Sequence, residues 1–396
     1  MLKLIYTKNY KVRREEICVI NQFKSSSIIN QYLNCENGLE IVNQKLELLI
    51  DNFKDTLYED DDIFIKNMEK NNLGGDDLAR YRHWEWPQGV GLFGLWKMFE
   101  VTKEKKYLDL ITRYYDEQLE LGLPTKNVNT TAPLLTLAHL YEYTREEKYK
   151  EICIEWAQWL VDGLPKTKEG GFQHLTSDTF NEDELWVDTL FMTVLFLAKM
   201  GSILDKEEWI DEAKYQFLLH IKYLTDRKSG LWFHGWTFQG NHNFAEALWG
   251  RGNCWITTAI PEFLSVVKCE ASMERFLIEA LKRQVDTLVQ CQNSSGMWHT
   301  LLDDSTSYLE ASATCGIAYG ILKASNMNLI GSHYKDYAYK ALKPILECID
   351  EKGHVSQVSY GTYMGRESKQ YYKEVELRPM PYGQALAILF MLEVLK

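Results

Sequence analysis

One carboxylate stands out by the company it keeps. In Trp186-Val187-Asp188-Thr189-Leu190-Phe191-Met192, an aspartate follows a tryptophan and precedes a run of mostly apolar residues. If a helix starts there, Asp188 sits at its N-terminal end, beside Trp186 and an apolar face. Burial of that kind disfavours the charged form and raises a carboxyl pKa. That environment suits a general acid working near neutral pH. The same residue has a structural reading, because Asp is a preferred helix N-cap worth about 0.5–2 kcal/mol. Asn129 poses the same alternative ahead of Thr130-Thr131-Ala132-Pro133. It caps a helix with Pro133 in the first turn, or it holds a substrate hydroxyl or a water. Glu85, within His83-Trp84-Glu85-Trp86-Pro87-Gln88-Gly89, and Glu310 are alternative acids.

A cation belongs to the same picture. Trp249-Gly250-Arg251-Gly252-Asn253-Cys254-Trp255 sets a guanidinium between two glycines. Small residues allow close approach of backbone and ligand, and arginine pairs bidentately with carboxylates. A salt bridge to a neighbouring loop is the structural alternative. The Gly-x-Gly is not a dinucleotide fingerprint, since no strand precedes it. No G-x-S-x-G elbow, P-loop or H-E-x-x-H occurs, so serine hydrolase, nucleotide kinase and zinc protease chemistry is not expected. The eight cysteines, Cys18, Cys35, Cys153, Cys254, Cys269, Cys291, Cys315 and Cys348, include no C-x-x-C pair. They read as thiols in a reducing cytoplasm, with no metal site and no cofactor.

The bulk composition narrows the partners. The 396-residue chain carries a formal net charge of −12 and no basic stripe. It therefore lacks the footprint of a nucleic-acid binder or of a protein docking on anionic lipid. No run of about 18 apolar residues appears, so no membrane span is expected. The N-terminus, M-L-K-L-I-Y-T-K-N-Y-K-V-R-R-E-E, has no apolar stretch of secretory length.

Such side chains need a scaffold, and the periodicity describes an all-α one. Six stretches are apolar or rich in small residues: 88–102, 130–144, 188–202, 252–267, 311–325 and 383–395. Six others are amphipathic: 40–57, 105–119, 147–162, 207–224, 273–290 and 334–349. The two kinds alternate. Helices apolar around most of their circumference need protein on all sides, whereas amphipathic ones face water on one side. Six such pairs describe an (α/α)6 barrel, a six-hairpin toroid. An internal repeat agrees: Glu100-Val-Thr-Lys-Glu-Lys-Lys-Tyr107 is echoed by Glu142-Tyr-Thr-Arg-Glu-Glu-Lys-Tyr149. An open solenoid is the competing architecture, but most inner stretches are too apolar for an exposed concave face. Residues 36–396 read as one barrel domain and 1–35 as an N-terminal extension.

The connections are unequal. Inner-to-outer turns are as short as Lys103-Glu104 and Arg145-Glu146, whereas 58–87, 163–187, 225–251, 291–310 and 350–382 are long. In an alternating toroid these long loops share one rim, at the N-termini of the inner helices. Long loops in compact domains are usually functional, and helix N-termini favour anions. The loops hold Trp84, Trp86, Trp186, Trp232, Trp236, Trp249 and Trp298, with His83, His174, His234, His242 and His299. Aromatic platforms with scattered polar groups suit sugars; capping of the helical core is the structural alternative.

At these residues the chain resembles glycoside hydrolase family 105, the unsaturated rhamnogalacturonyl hydrolases, and more distantly family 88. The matching pieces are V-N-T-T-A-P-L-L-T-L-A at 128–138, W-V-D-T-L-F-M at 186–192 and W-G-R-G-N-C-W at 249–255. Others are G-M-W-H-T-L-L-D-D at 296–304, E-A-S-A-T at 310–314 and P-Y-G-Q-A at 381–385. The resemblance implies a hydrolase of lyase-generated oligosaccharides that hydrates the C4=C5 double bond of a terminal unsaturated uronate. It implies Asp188 as proton donor and base toward water. It implies Trp249, Arg251 and Trp255 as substrate contacts, with Asn129, Trp86, Trp186, His234, Asn253 and His299 as further candidates. Family 88 uses a second aspartate on the preceding inner helix, where this chain carries Asn129. Rival readings are an inverting glycosidase pairing Asp188 with Glu85 or Glu310, a sugar 2-epimerase using His234 and His299, and a non-catalytic sugar-binding protein.

Overall fold

The computed structural model describes residues 26–60, 62, 65–66 and 80–396. Most of the expected N-terminal extension lies outside the described residues. Its last part forms α1 (Ser26–Leu33), which packs on α2 (Gly38–Thr56). The remaining major helices are α3 (Trp86–Thr102), α4 (Lys105–Leu121), α5 (Val128–Thr131), α6 (Leu134–Thr144), α7 (Glu147–Asp162), α8 (Leu195–Leu204), α9 (Glu207–Leu224), α10 (Gly250–Val266), α11 (Ala271–Cys291), α12 (Ala311–Asn326), α13 (Lys335–Lys340), α14 (Leu342–Cys348), α15 (Gln370–Glu374) and α16 (Pro381–Leu395).

The inner helices α3, α6, α8, α10, α12 and α16 touch in that order, and α16 returns to α3. The ring is closed, which decides against the solenoid and gives the (α/α)6 barrel. Apolar character explains the placement: every residue of α16 from Tyr382 to Leu395 is buried. The outer helices present one face each, as in α11, where Met273, Leu277, Leu281, Gln284, Val285 and Leu288 are buried. The first outer helix, α2, packs on the last inner helix, α16.

The internal repeat is a turn module. Lys103 and Arg145 both take left-handed conformations, at φ 58° and 60°, and each donates its N–H to the carbonyl four residues back at 2.8 Å. The preceding Thr102 and Thr144 bond the carbonyls of Met98 and Leu140, both at 2.9 Å, and accept from Glu104 and Glu146. This motif ends an inner helix and turns the chain outward within two residues.

Two elements depart from the periodicity. The sixth outer helix, expected as one piece over 334–349, is broken at Ala341 into α13 and α14. Pro344 has no N–H to offer the Lys340 carbonyl, so the ladder is interrupted there. The inner helix expected from 188 opens with a π-helical turn, Leu190–Val194, before α8 begins. Two short antiparallel ribbons stiffen the rim: β1 (Glu184–Trp186) pairs with β2 (Gly235–Thr237), and β3 (Trp298–His299) with β4 (Leu309–Glu310). No described helix is long and apolar enough to cross a membrane.

Candidate active site

The N-terminal ends of the inner helices and the long loops enclose a cleft with about 1220 Å³ of atom-free space, counted out to its open mouth. Asp188, Asn129, Trp86, Trp186, Trp249, Arg251 and Glu85 all line it. The side chain of Asp188 is 16% exposed, enough to reach the cleft and little enough to be held by its neighbours.

The Asp188 carbonyl accepts from the Phe191 and Met192 N–H groups at 3.1 and 3.0 Å and so opens the helix, but among the described residues its carboxylate makes no capping bond. The Oδ2 atom has no hydrogen-bond partner, and the nearest donor is His234 Nε2 at 3.5 Å. A chain of contacts orients His234. The Gly365 N–H donates to Tyr372 Oη at 3.0 Å, and Tyr372 Oη stands 2.6 Å from His234 Nδ1. Nε2 of His234 is thereby turned toward Asp188. Trp249 and Trp186 clamp the imidazole, with ring centroids 4.2 and 5.1 Å away.

These neighbours reverse one expectation. Burial pushes the Asp188 carboxyl up, as the sequence suggests. Interaction with His234, helped by His174 and Arg251, outweighs it and holds the group below its usual value. Asp188 is ionised in the resting cleft. His234 is kept neutral chiefly by burial, against the pull of Asp188. His174, stacked on Trp186 at 4.4 Å, is driven down to about 3 by burial.

Glu85 is the opposite case. It stands at the N-cap position of α3 but makes no side-chain cap bond. Its Oε1 accepts from the Ser177 hydroxyl, which in turn accepts from Asn127 Nδ2 at 3.0 Å, and its buried Oε2 has no partner. Burial first, and Asp178 second among the effects that raise it, push its pKa up to about 8 against the bonds from Ser177, the Trp86 backbone and Asn129. One carboxyl in the cleft is thus ionised near neutral pH and another is protonated. The capping role weighed for Asn129 falls to Asn127, which accepts from the Thr130 N–H at 3.0 Å and donates its own N–H to Thr130 Oγ1 at 2.9 Å. Asn129 is left facing the cleft.

Arg251 lines the cleft but is almost wholly committed. Its Nη1 donates to the Ser359 carbonyl at 2.8 Å and to the Ser359 hydroxyl, and its Nη2 to the Tyr360 carbonyl at 3.1 Å and Thr362 Oγ1 at 2.8 Å. The guanidinium lies over the rings of Trp249 and Tyr382, each at 4.8 Å. It fastens the 359–362 segment to the barrel, so the expected bidentate grip on a substrate carboxylate is not available. Arg378 is the cation the sequence reading missed. It lines the same cleft, lies over Tyr360 at 5.2 Å and has no ion-pair partner among the described residues.

Four expected contacts lie behind the cleft wall. Asn253 is fully buried and bridges the Trp232 N–H and carbonyl, the Trp249 carbonyl and Gln284. Trp255 is fully buried, edge-on behind Trp86 and against Phe191. His299 bonds the Ser307 carbonyl at 2.6 Å and faces Asn293. His234 reaches the cleft only through Asp188. Glu310 is also structural: it caps α12 at Ala313, bonds Ser312 at 2.7 Å and the Ser359 N–H at 2.8 Å, and stands 3.8 Å from Arg251. Of the rim tryptophans, Trp84, Trp232 and Trp298 are core caps, buried to 1% exposure or less. Segments 176–178 and 360–363 were not singled out because loop residues carry no periodicity.

The Glycosyl Hydrolase Family 88 model matches residues 61–396. The chain belongs to glycosyl hydrolase family 88. This family 88 chain is 32% identical over 315 residues to the unsaturated rhamnogalacturonyl hydrolase YesR of Bacillus subtilis, covering 79% of this chain and 90% of that one. A Salmonella enterica structure, described as a possible member of the GH105 family, superposes with a TM-score of 0.81 at 42% identity, over 88% of this chain and 93% of that one. The unsaturated glucuronyl hydrolase of Bacillus sp. GL1 shares the fold, with a TM-score of 0.64 at 15% identity, over 88% and 96% of the two chains.

Proposed function

We propose that this family 88 chain releases a terminal 4,5-unsaturated uronic acid, galacturonyl or glucuronyl, from lyase-generated oligosaccharides by hydrating the C4=C5 double bond. The observation that carries the reading is Asp188, a cleft carboxylate with no capping or packing bond of its own, aligned by the Gly365–Tyr372–His234 chain. Names of relatives such as YesR support the same reaction class. Ionised at rest, Asp188 is set to draw a proton from water as its oxygen attacks C5. Trp86, Trp186 and Trp249 offer apolar faces to the sugar, and Asn129 a hydrogen bond. Arg378, with the inner-helix N-termini, supplies the positive potential for the uronate. Hydration at C5 gives a hemiketal; its ring opens to a ketone, and the exposed C1 hemiacetal releases the neighbouring sugar. No metal or organic cofactor enters this chemistry. We place the reaction in the cytoplasm; the described cysteines are free thiols, four of them buried, which suits a reducing compartment.

The test is loss of the ultraviolet absorbance of an unsaturated uronyl disaccharide. Wild type is expected to bleach it, and Asp188→Asn to lower kcat by about a hundredfold or more while melting like wild type. Persistence of the absorbance across several such disaccharides overturns the reading. Cleavage of a saturated disaccharide at a comparable rate favours an inverting glycosidase, which the Glu85–Asp188 combination also resembles.

A further inference from the structure

The hydration needs a proton delivered to C4, and Asp188 does not hold one at rest. The preceding inner helix offers no acid, since its cleft residue is Asn129. One helix further back, Glu85 lines the cleft, and among the described residues its buried Oε2 has no hydrogen-bond partner. Its surroundings are those of an acid kept whole. Its Oε1 accepts from the neutral Ser177 hydroxyl, which Asn127 holds in turn. The charges sharing the cleft are Glu59, the Asp60–Arg82 pair, Asp178, Arg251, Arg378 and Asp188. Of these only Asp178 acts on Glu85 appreciably, and it disfavours a second negative charge. Asp178 is itself tied down by Thr176 at 2.9 Å and by Tyr363.

We infer that Glu85 is the catalytic acid of the hydration, donating its Oε2 proton to C4 while Asp188 acts as the base toward water. This rests on the hydratase reading above and fills the role that the residue at position 129 cannot. The Glu85 O–H bond breaks as the C4=C5 electron pair forms the new C4–H bond. Positive charge develops at C5 and on the ring oxygen. A water oxygen adds at C5 and passes its proton to Asp188. The cycle closes when Asp188 returns a proton to solvent and Glu85 takes one up. Two carboxyls whose surroundings drive their proton affinities apart are the usual basis for dividing acid from base.

Glu85→Gln keeps shape and hydrogen bonding but has no proton to give. It is expected to lose about a hundredfold or more in kcat with KM within about threefold, against an unchanged melting transition. Glu85→Asp is expected to restore part of kcat and to retain the alkaline fall of the kcat–pH profile. Wild type at neutral pH should also show a protonated-carboxyl stretch in the infrared difference spectrum against Glu85→Gln, in the absence of substrate. Either a Glu85→Gln enzyme within tenfold of wild-type kcat or the absence of that infrared band overturns the assignment. Neither result touches the hydratase reading, which stands or falls on wild-type bleaching of the disaccharide.

Discussion

Glu310 and Asp188 both stand where a rim loop enters an inner helix, yet their carboxylates do different work. Glu310 accepts from Ala313, Ser312 and Ser359, so all its acceptor capacity is used inside the protein. Among the described residues, the Asp188 carboxylate has only His234, at a long 3.5 Å. Arg251 falls on the structural side as well, with four of its donor directions on the 359–362 segment. Lysine cannot reproduce that fork. Arg251→Lys is therefore expected to lower stability by about 2 kcal/mol or more, from lost charge-assisted bonds worth about 1.5–3 kcal/mol each. It should also raise KM as the segment shifts, both readable by urea titration and steady-state kinetics. The positions of Asp188, Asn129, Trp86, Trp186 and Trp249 at the cleft were legible because helix starts and aromatics are local features. The fates of Arg251, Asn253, Trp255 and His299 were not, because they depend on partners far off in the sequence, such as Thr362 for Arg251 and Trp86 for Trp255. The ionisation of Asp188 was misread for the same reason, since its imidazole neighbour comes from another loop.

At the scale of elements, periodicity carried the barrel well and its joints poorly. The Thr-Lys-Glu and Thr-Arg-Glu turns repeat because the same threonine bonds and left-handed residue end both helices. The break at Ala341 and the π-turn at 190–194 came from one proline and one extra residue, which a hydrophobic pattern does not register. Close helix contacts are equally silent in a pattern. At Gly320 of α12, a Cβ would lie 2.3 Å from the Thr257 carbonyl of α10. Gly320→Ala is expected to force these helices apart and cost about 1–3 kcal/mol, measurable as a lower denaturant midpoint. Because α10 begins at Trp249 and Arg251, activity should fall with it.

For the whole molecule, charge is buried at the end of the barrel opposite the cleft. Glu262 on α10 meets Lys323 of α12 at 2.7 Å and Lys97 of α3 at 3.4 Å, with Tyr319 donating to it. Burial opposes its ionisation, but the two lysines and Tyr319 overcome this and hold its carboxyl far below the usual range. Its contribution to stability is present above the unfolded-state value near 4.5 and is lost as pH falls below that. Glu262→Gln leaves two cations without their shared anion and is expected to cost about 3–5 kcal/mol. The acid flank of its melting-temperature profile should be flatter than that of wild type, as differential scanning calorimetry across pH will test.

The helix that shuts the ring is also the last of the six along the chain, and the loop feeding it bears Tyr360, Thr362 and Arg378. During synthesis, five inner helices emerge and begin to pack while the catalytic bowl still lacks one side. The Arg251 guanidinium then has no strap to grip, and the face of α2 that will meet α16 stays wet. A chain cut before α16 leaves the ring open and is expected to be inactive, which a truncated variant tested against the same disaccharide will show.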